Sequence, residues 1–200
     1  MIEISLTRFI DFTLKSGTPK ITSLKEAKKQ ILEPYNPAKD YYKQIRDAVI
    51  NHHRNGTPYS HVEAIASSVQ NKTKQIIYPL IAAGYKKFRG SKQLKWFKPP
   101  QSVWDANGVR VSINPELGLE VKGVPHVIKM YFKADAFRKQ EVRAILSLMD
   151  MVLQQPNKNL KMGVLDVRNG KLHTDEPPDP TLLALMHGET ASIAAMWPAL

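Results

Sequence analysis

Six cations and no acid fall within thirteen residues of this 200-residue chain: Lys86, Lys87, Arg89, Lys92, Lys95 and Lys98. Tyr85, Phe88, Trp96 and Phe97 are interleaved with them. Lysine and arginine displace counterions from phosphates, and aromatic faces stack on unpaired bases, with Trp96 the candidate here. The charge is local. Residues 51–100 carry nine basic side chains and one acidic one, which accounts for most of the chain's net +11. A nucleic acid or another polyanion is therefore the expected partner. The alternative on the same charge is an adaptor whose basic quarter meets an acidic protein.

Other chemistry is narrowed by what the residues omit. There is no cysteine, so thiolate nucleophiles, disulfides and Cys-ligated metals are excluded. Six histidines are present, none in an H-E-x-x-H frame. No serine-hydrolase elbow, phosphate loop or dinucleotide fingerprint occurs. Nor does the string carry a helix-turn-helix, zinc-finger, RRM or KH pattern, so sequence-specific reading of DNA has no support at this level.

The elements that must position these residues change period near residue 105. Before it, apolar residues recur at helical spacing. Ile2, Leu6, Phe9 and Ile10 share one helical face. Ser23-Leu24-Lys25-Glu26 is a capping box that predicts a helix to about Leu32. Asn36-Pro37 predicts the start of a longer helix with Tyr41, Ile45, Ala48 and Val49 buried. Ser60-His61-Val62-Glu63 predicts another, and a further helix is expected over about Thr73 to Ala83, capped by Gly84. Trp96 and Phe97, ahead of Pro99-Pro100, read as anchors of a linker.

After it, strands are expected. Val109–Ile113 and Leu117–Val121 alternate and are predicted to pair with each other. Val127 to Phe132 follows, then a helix over about Asp135 to Gln154. Met162 to Val167, a tight turn at Asn169-Gly170 and Lys171 to Thr174 come next, and a last helix opens near Pro180. The fold class is α+β: a helical N-terminal half packed with a small mixed β-sheet (meander, helix, strand) in the C-terminal half. Residues 1–98 form the helical region with the basic segment. Residues 99–200 form the strand region with a terminal helix, either as a second unit or continuous with the first.

That order, a helix, a three-strand meander, a helix and a strand, resembles the core of the PD-(D/E)XK nucleases. Pro115-Glu116 stands where that family's Pro-Asp begins, and His126 to Lys133 where its third strand lies. The resemblance implies metal-dependent phosphodiester cleavage. Glu116 and Glu120 are the candidate catalytic residues and ligands of a divalent metal such as magnesium. Lys129 or Lys133 would lie near the scissile phosphate, and Glu63 could serve as the helical acid. The family's acid–x–Lys triplet is absent from the third strand, because Val127 and Tyr131 stand two residues before the lysines; the literal triplet Glu120-Val121-Lys122 falls on the wrong strand, and Glu26-Ala27-Lys28 matches the same short string. In a strand Glu116 and Glu120 share a face but lie roughly 13 Å apart. The core is therefore expected to be degenerate and to bind without cutting. The strings Asn114-Pro-Glu-Leu-Gly-Leu and His126-Val-Ile-Lys-Met-Tyr-Phe-Lys also resemble an uncharacterised bacterial family.

The reading at this level is a nucleic-acid-binding protein with a nuclease-like core. The alternatives are the adaptor and a metal-dependent phosphodiesterase or nuclease. No cofactor is expected unless the nuclease reading holds. The longest apolar run, Ile76 to Ala83, is far shorter than the roughly 20 residues of a membrane span, and Glu3 and Asp11 interrupt any secretory signal. The expected location is the cytoplasm.

Overall fold

The computed structural model describes residues 1–33, 40–134, 138–154, 159–174 and 179–200. The α+β class and the order of helices before sheet are as the periodicity indicated. The chain opens differently, however. Ile2 begins a strand, β1 (Ile2–Ser5), and only then α1 (Leu6–Thr13), whose N-cap Ser5 accepts from the Arg8 amide. Of the four residues at helical spacing only Ile2 lies in strand, where another strand offers residues 2–5 a partner, and Leu6, Phe9 and Ile10 form the buried face of α1. Helix α2 (Gly17–Leu32) starts ahead of the Ser23 capping box. The Asn36-Pro37 start lies outside the described residues, and α3 (Lys43–Arg54) buries Ile45, Ala48 and Val49 as expected.

Helices α4 (Tyr59–Ser68) and α5 (Lys72–Arg89) follow, and α5 carries the first half of the basic segment. Asn71 caps α5 by accepting from the Thr73 and Lys74 amides, both at 3.1 Å. The helix does not stop at Gly84. It runs to Arg89, and the residue beyond, Gly90, takes φ +48°. Gly84 serves packing instead. A Cβ there would lie 2.1 Å from the Val167 carbonyl oxygen and 2.3 Å from that of Arg168. Only a glycine lets the loop 167–170 rest directly on α5.

Trp96 and Phe97 do not anchor a linker between domains: they lie in a strand, and residues 98–101 lead from it to a strand of a different sheet. Strand β2 (Leu94–Phe97) and β3 (Ser102–Ala106) come before β4 (Val109–Ile113), β5 (Leu117–Val121), β6 (Val124–Tyr131), α6 (Lys139–Leu153), β7 (Lys161–Asp166), β8 (Lys171–His173) and α7 (Pro180–Met196). The expected pairing of β4 with β5 does not form. β4 lies between β1 and β3 in a three-stranded sheet, whereas β5 lies between β2 and β6 in a five-stranded one. The real hairpins turn at Asn107-Gly108 and Lys122-Gly123, where both residues of each pair have positive φ. That is the two-residue geometry that matches strand twist. Asn114-Pro115-Glu116 instead carries the chain from one sheet to the other.

The five-stranded sheet runs β2-β5-β6-β7-β8. β2, β5 and β6 are antiparallel neighbours, with β2 in the place expected for Val109–Ile113 and with β3 and β4 of the other sheet between β2 and β5 in the chain; β7 joins β6 in parallel through α6. Its two faces feed two cores. Leu117, Leu119, Ile128, Met130 and Leu165 pack on α3, α4 and α5. Val127, Met162 and Val164 face a second core that holds α1, α6 and the smaller sheet. Both cores draw on residues before and after 98, so no packing boundary falls there. No helix among the described residues is long and apolar enough to cross a membrane.

Candidate nucleic-acid interface

The basic segment spans the end of α5, the turn 90–93 and edge strand β2. Lys86, Lys87, Lys92, Lys95 and Lys98 are exposed, whereas Arg89 is half-buried. The cations are not equivalent. Lys86 pairs with Glu63 at 2.8 Å. Arg89 lies over the Tyr59 ring at 5.6 Å, and Lys92 donates to the Phe88 carbonyl while covering the Phe88 ring. Lys87, Lys95 and Lys98 have no ion-pair partner among the described residues, so they are the ones free to meet phosphate.

Tyr85 and Phe88 are core residues. Alternation in β2 sends Trp96 toward the α3–α5 core and Phe97 over Gly118 on the opposite face. Both aromatics stay half-buried and border an open groove of about 730 Å³ beside the sheet edge. Lys95, Lys98, Pro99 and Pro100 line it too, with Glu120 opposite Lys95 in the strand register. Trp96 therefore presents part of its ring from a packed position. It is not a free stacking arm.

Of the four residues named for catalysis, the structure brings only Glu116 and Lys129 together. Glu116, at the entry to β5, binds the Lys129 ammonium at 2.6 Å through one oxygen and accepts from the Met130 amide at 2.8 Å through the other. Lys129 also donates to the Asn114 carbonyl. Glu116 and Lys129 are nearly buried, with side chains 12% and 15% exposed. Lys133 pairs with Asp11 of α1 at 2.5 Å, on another element altogether. Glu120 lies four residues along β5 from Glu116, in the groove, and Glu63 is held by Lys86.

These residues do not fit a divalent-metal site. Both oxygens of Glu116 are engaged by cationic or amide donors, and Glu120 and Glu63 stand elsewhere. Among the described residues no three His, Asp or Glu side chains gather as a cation would need. The structure does bring Glu116 close to a group that the sequence did not suggest. Arg46 of α3 is bound by Asp40 at 2.7 Å. Burial works against its charge, but Asp40, Glu116 and Asp47 outweigh that and raise its pKa. The neighbourhood is a set of matched charges that ties α3 to the start of β5.

A second cluster also escaped the sequence. Tyr85 is fully buried, and its hydroxyl lies 2.5 Å from Nε2 of His53. Burial pushes the phenol pKa up, so the hydroxyl is the donor and His53 the acceptor. Burial, with His52 and Arg89 adding repulsion, lowers His53 to about 4. The only sequence signal was the helical register of His53 on α3 and Tyr85 on α5, which does not by itself place two side chains in contact.

No protein-family model matches the chain, and no curated protein matches it.

Proposed function

We propose that the protein binds nucleic acid through the segment from Lys86 to Lys98, on a nuclease-like core that binds without cutting. One observation carries this reading. From residue 64 to residue 104 there are eight lysine or arginine side chains and no acid. Helix α5, strand β2 and the residue after it display Lys87, Lys95 and Lys98 from that stretch with no ion pair among the described residues, although Glu120 stands opposite Lys95 in the register. A positive surface left unpaired is costly in self-repulsion, and a polyanion relieves it by releasing its own counterions.

The spatial order β2-β5-β6, crossover α6 and parallel β7 supports the likeness to the PD-(D/E)XK core, with β3 and β4 as an insertion between its first two strands. The engagement of Glu116 by Lys129 supports its being degenerate. With this reading goes a bacterial cytoplasmic setting, on the resemblance of the strings around Asn114 and His126. The test is fluorescence anisotropy of single-stranded and duplex oligonucleotides at 50 and 200 mM salt. Affinity should fall at least tenfold across that range, and Lys87→Ala, Lys95→Ala and Lys98→Ala together should flatten the salt dependence by about three phosphate contacts. Wild-type protein that binds neither probe at low salt, but captures an acidic protein, would establish the adaptor instead.

A further inference from the structure

We infer, building on the nucleic-acid reading, that the ligand is duplex DNA and that α4, the turn 69–71 and α5 work as a helix-turn-helix, with α5 entering the major groove. The sequence shows no such pattern, so the inference rests on placement. Helices α3, α4 and α5 are consecutive and share one core: Ile45 and Val49 from α3, Val62 and Ala66 from α4, Tyr78 and Ile81 from α5. Three residues separate α4 from α5. Val69, the first of them, is itself buried, which fixes the turn against that core. A short anchored turn between two helices, the first braced by a third, is the arrangement that holds a protruding helix rigid.

The outer face of α5 is open. Lys72, Ile76, Pro79, Leu80, Ala83 and Lys87 recur at helical spacing, and all are exposed. Ile76 is 69% exposed and Leu80 52%, large values for apolar side chains in the middle of a well-packed helix. Gln75 and Thr73 flank the stripe and are exposed as well. The chemistry of the stripe selects the occupant. Lysines stand at both ends, about 22 Å apart along the axis. That span exceeds the major-groove width of about 12 Å, so both can reach backbone phosphates while the middle lies in the groove. Gln75 can pair with an adenine edge, and Ile76 and Leu80 suit thymine methyl groups. Glu63 of α4 is neutralised by Lys86, and Asp47 of α3 pairs with Lys43. Lys74 is turned inward over the Tyr41 and Tyr78 rings and belongs to the support.

The test compares a labelled pool of random-sequence duplex DNA with its single strands and with duplex RNA, by anisotropy at 50 mM salt. Duplex DNA should bind at least tenfold tighter than duplex RNA, whose major groove is too deep and narrow for a helix. Ile76→Asp and, separately, Gln75→Ala should weaken duplex binding, by at least tenfold for the first. Both positions are exposed, and unchanged circular dichroism will confirm that the fold is kept. Lys72→Ala should lower the salt slope by about one. Single strands binding as tightly as duplex, with these variants unaffected, would overturn the α5 proposal and leave the nucleic-acid reading standing. No binding of any probe would overturn both. A wild-type dimer that Ile76→Asp dissociates, with DNA affinity unchanged, would assign the stripe to a second copy and overturn the proposal as well.

Discussion

Gly84 and Gly188 are both helical glycines of ordinary φ, and the structure requires alanine to act on them with opposite sign. Each substitution relieves backbone entropy, about 1 kcal/mol of helix propensity. At Gly188, exposed on α7, nothing among the described residues lies within 4 Å of the new Cβ. The gain stands, about 1 kcal/mol. At Gly84 the new carbon meets two backbone oxygens at 2.1 and 2.3 Å. Neither can swing aside as a side-chain end can. The opposing Gly170 is equally tight, since a Cβ there would lie 2.4 Å from the Gly84 carbonyl oxygen. Helix and loop must therefore part by about an ångström. Overpacking of this kind costs about 1–3 kcal/mol, and backbone obstacles place it at the upper end. Subtracting the propensity gain leaves Gly84→Ala destabilised by about 2 kcal/mol. For a chain of this length, each kcal/mol moves Tm by about 2–4 °C. Thermal unfolding followed by circular dichroism should show a fall of about 4–8 °C for Gly84→Ala and a rise of about 2–4 °C for Gly188→Ala. A Gly84→Ala protein as stable as wild type would refute the glycine contact between α5 and the loop after β7, and with it the placement of the basic end of α5 against the sheet.

Three further outcomes are expected. Glu120→Gln should tighten nucleic-acid binding by about two- to fivefold, because it removes a carboxylate from the groove beside Lys95; a loss of affinity that magnesium accentuates would restore Glu120 as a metal ligand. Lys129→Met should lower stability by about 2 kcal/mol, less than for a fully buried pair because Glu116 keeps the Met130 amide, and Glu116→Gln added to it should recover part of the loss in urea unfolding. His53 has its pKa lowered from 6.5 to about 4, so the unfolded chain binds that proton first as pH falls. Stability should therefore drop by about 2–3 kcal/mol between pH 6.5 and 4 and level off below; a pH-independent Tm over that window, or His53→Gln with an unchanged slope, would contradict the buried neutral imidazole.

The sequence alone determined the α+β class, the register of α3, the strands β4 and β5, and the place of the excess charge. Each depends on local spacing, and a period of 3.6 or 2 survives whatever partners the element later finds. Partner choice does not follow from spacing. β4 and β5 were separately legible yet joined different sheets, because Asn114-Pro115 lacks positive-φ turn residues, whereas Asn107-Gly108 and Lys122-Gly123 supply them. The Asn-Gly pair was visible in the string and could have redirected the pairing. Ile2 to Ser5 read as helix because four residues fit either period, and only the free edge of β4 decided for strand. The same limit governed the candidate site. Charge count located Lys86 to Lys98, but which of them stay unpaired depended on where Glu63, Tyr59 and Phe88 came to rest. Glu116 could be picked out as a carboxylate beside a strand. Its occupation by Lys129 followed from the antiparallel register of β5 on β6, which sets residues thirteen apart in the chain side by side. Contacts of that kind are products of chain reversal and sheet assembly, and no one-dimensional period encodes them.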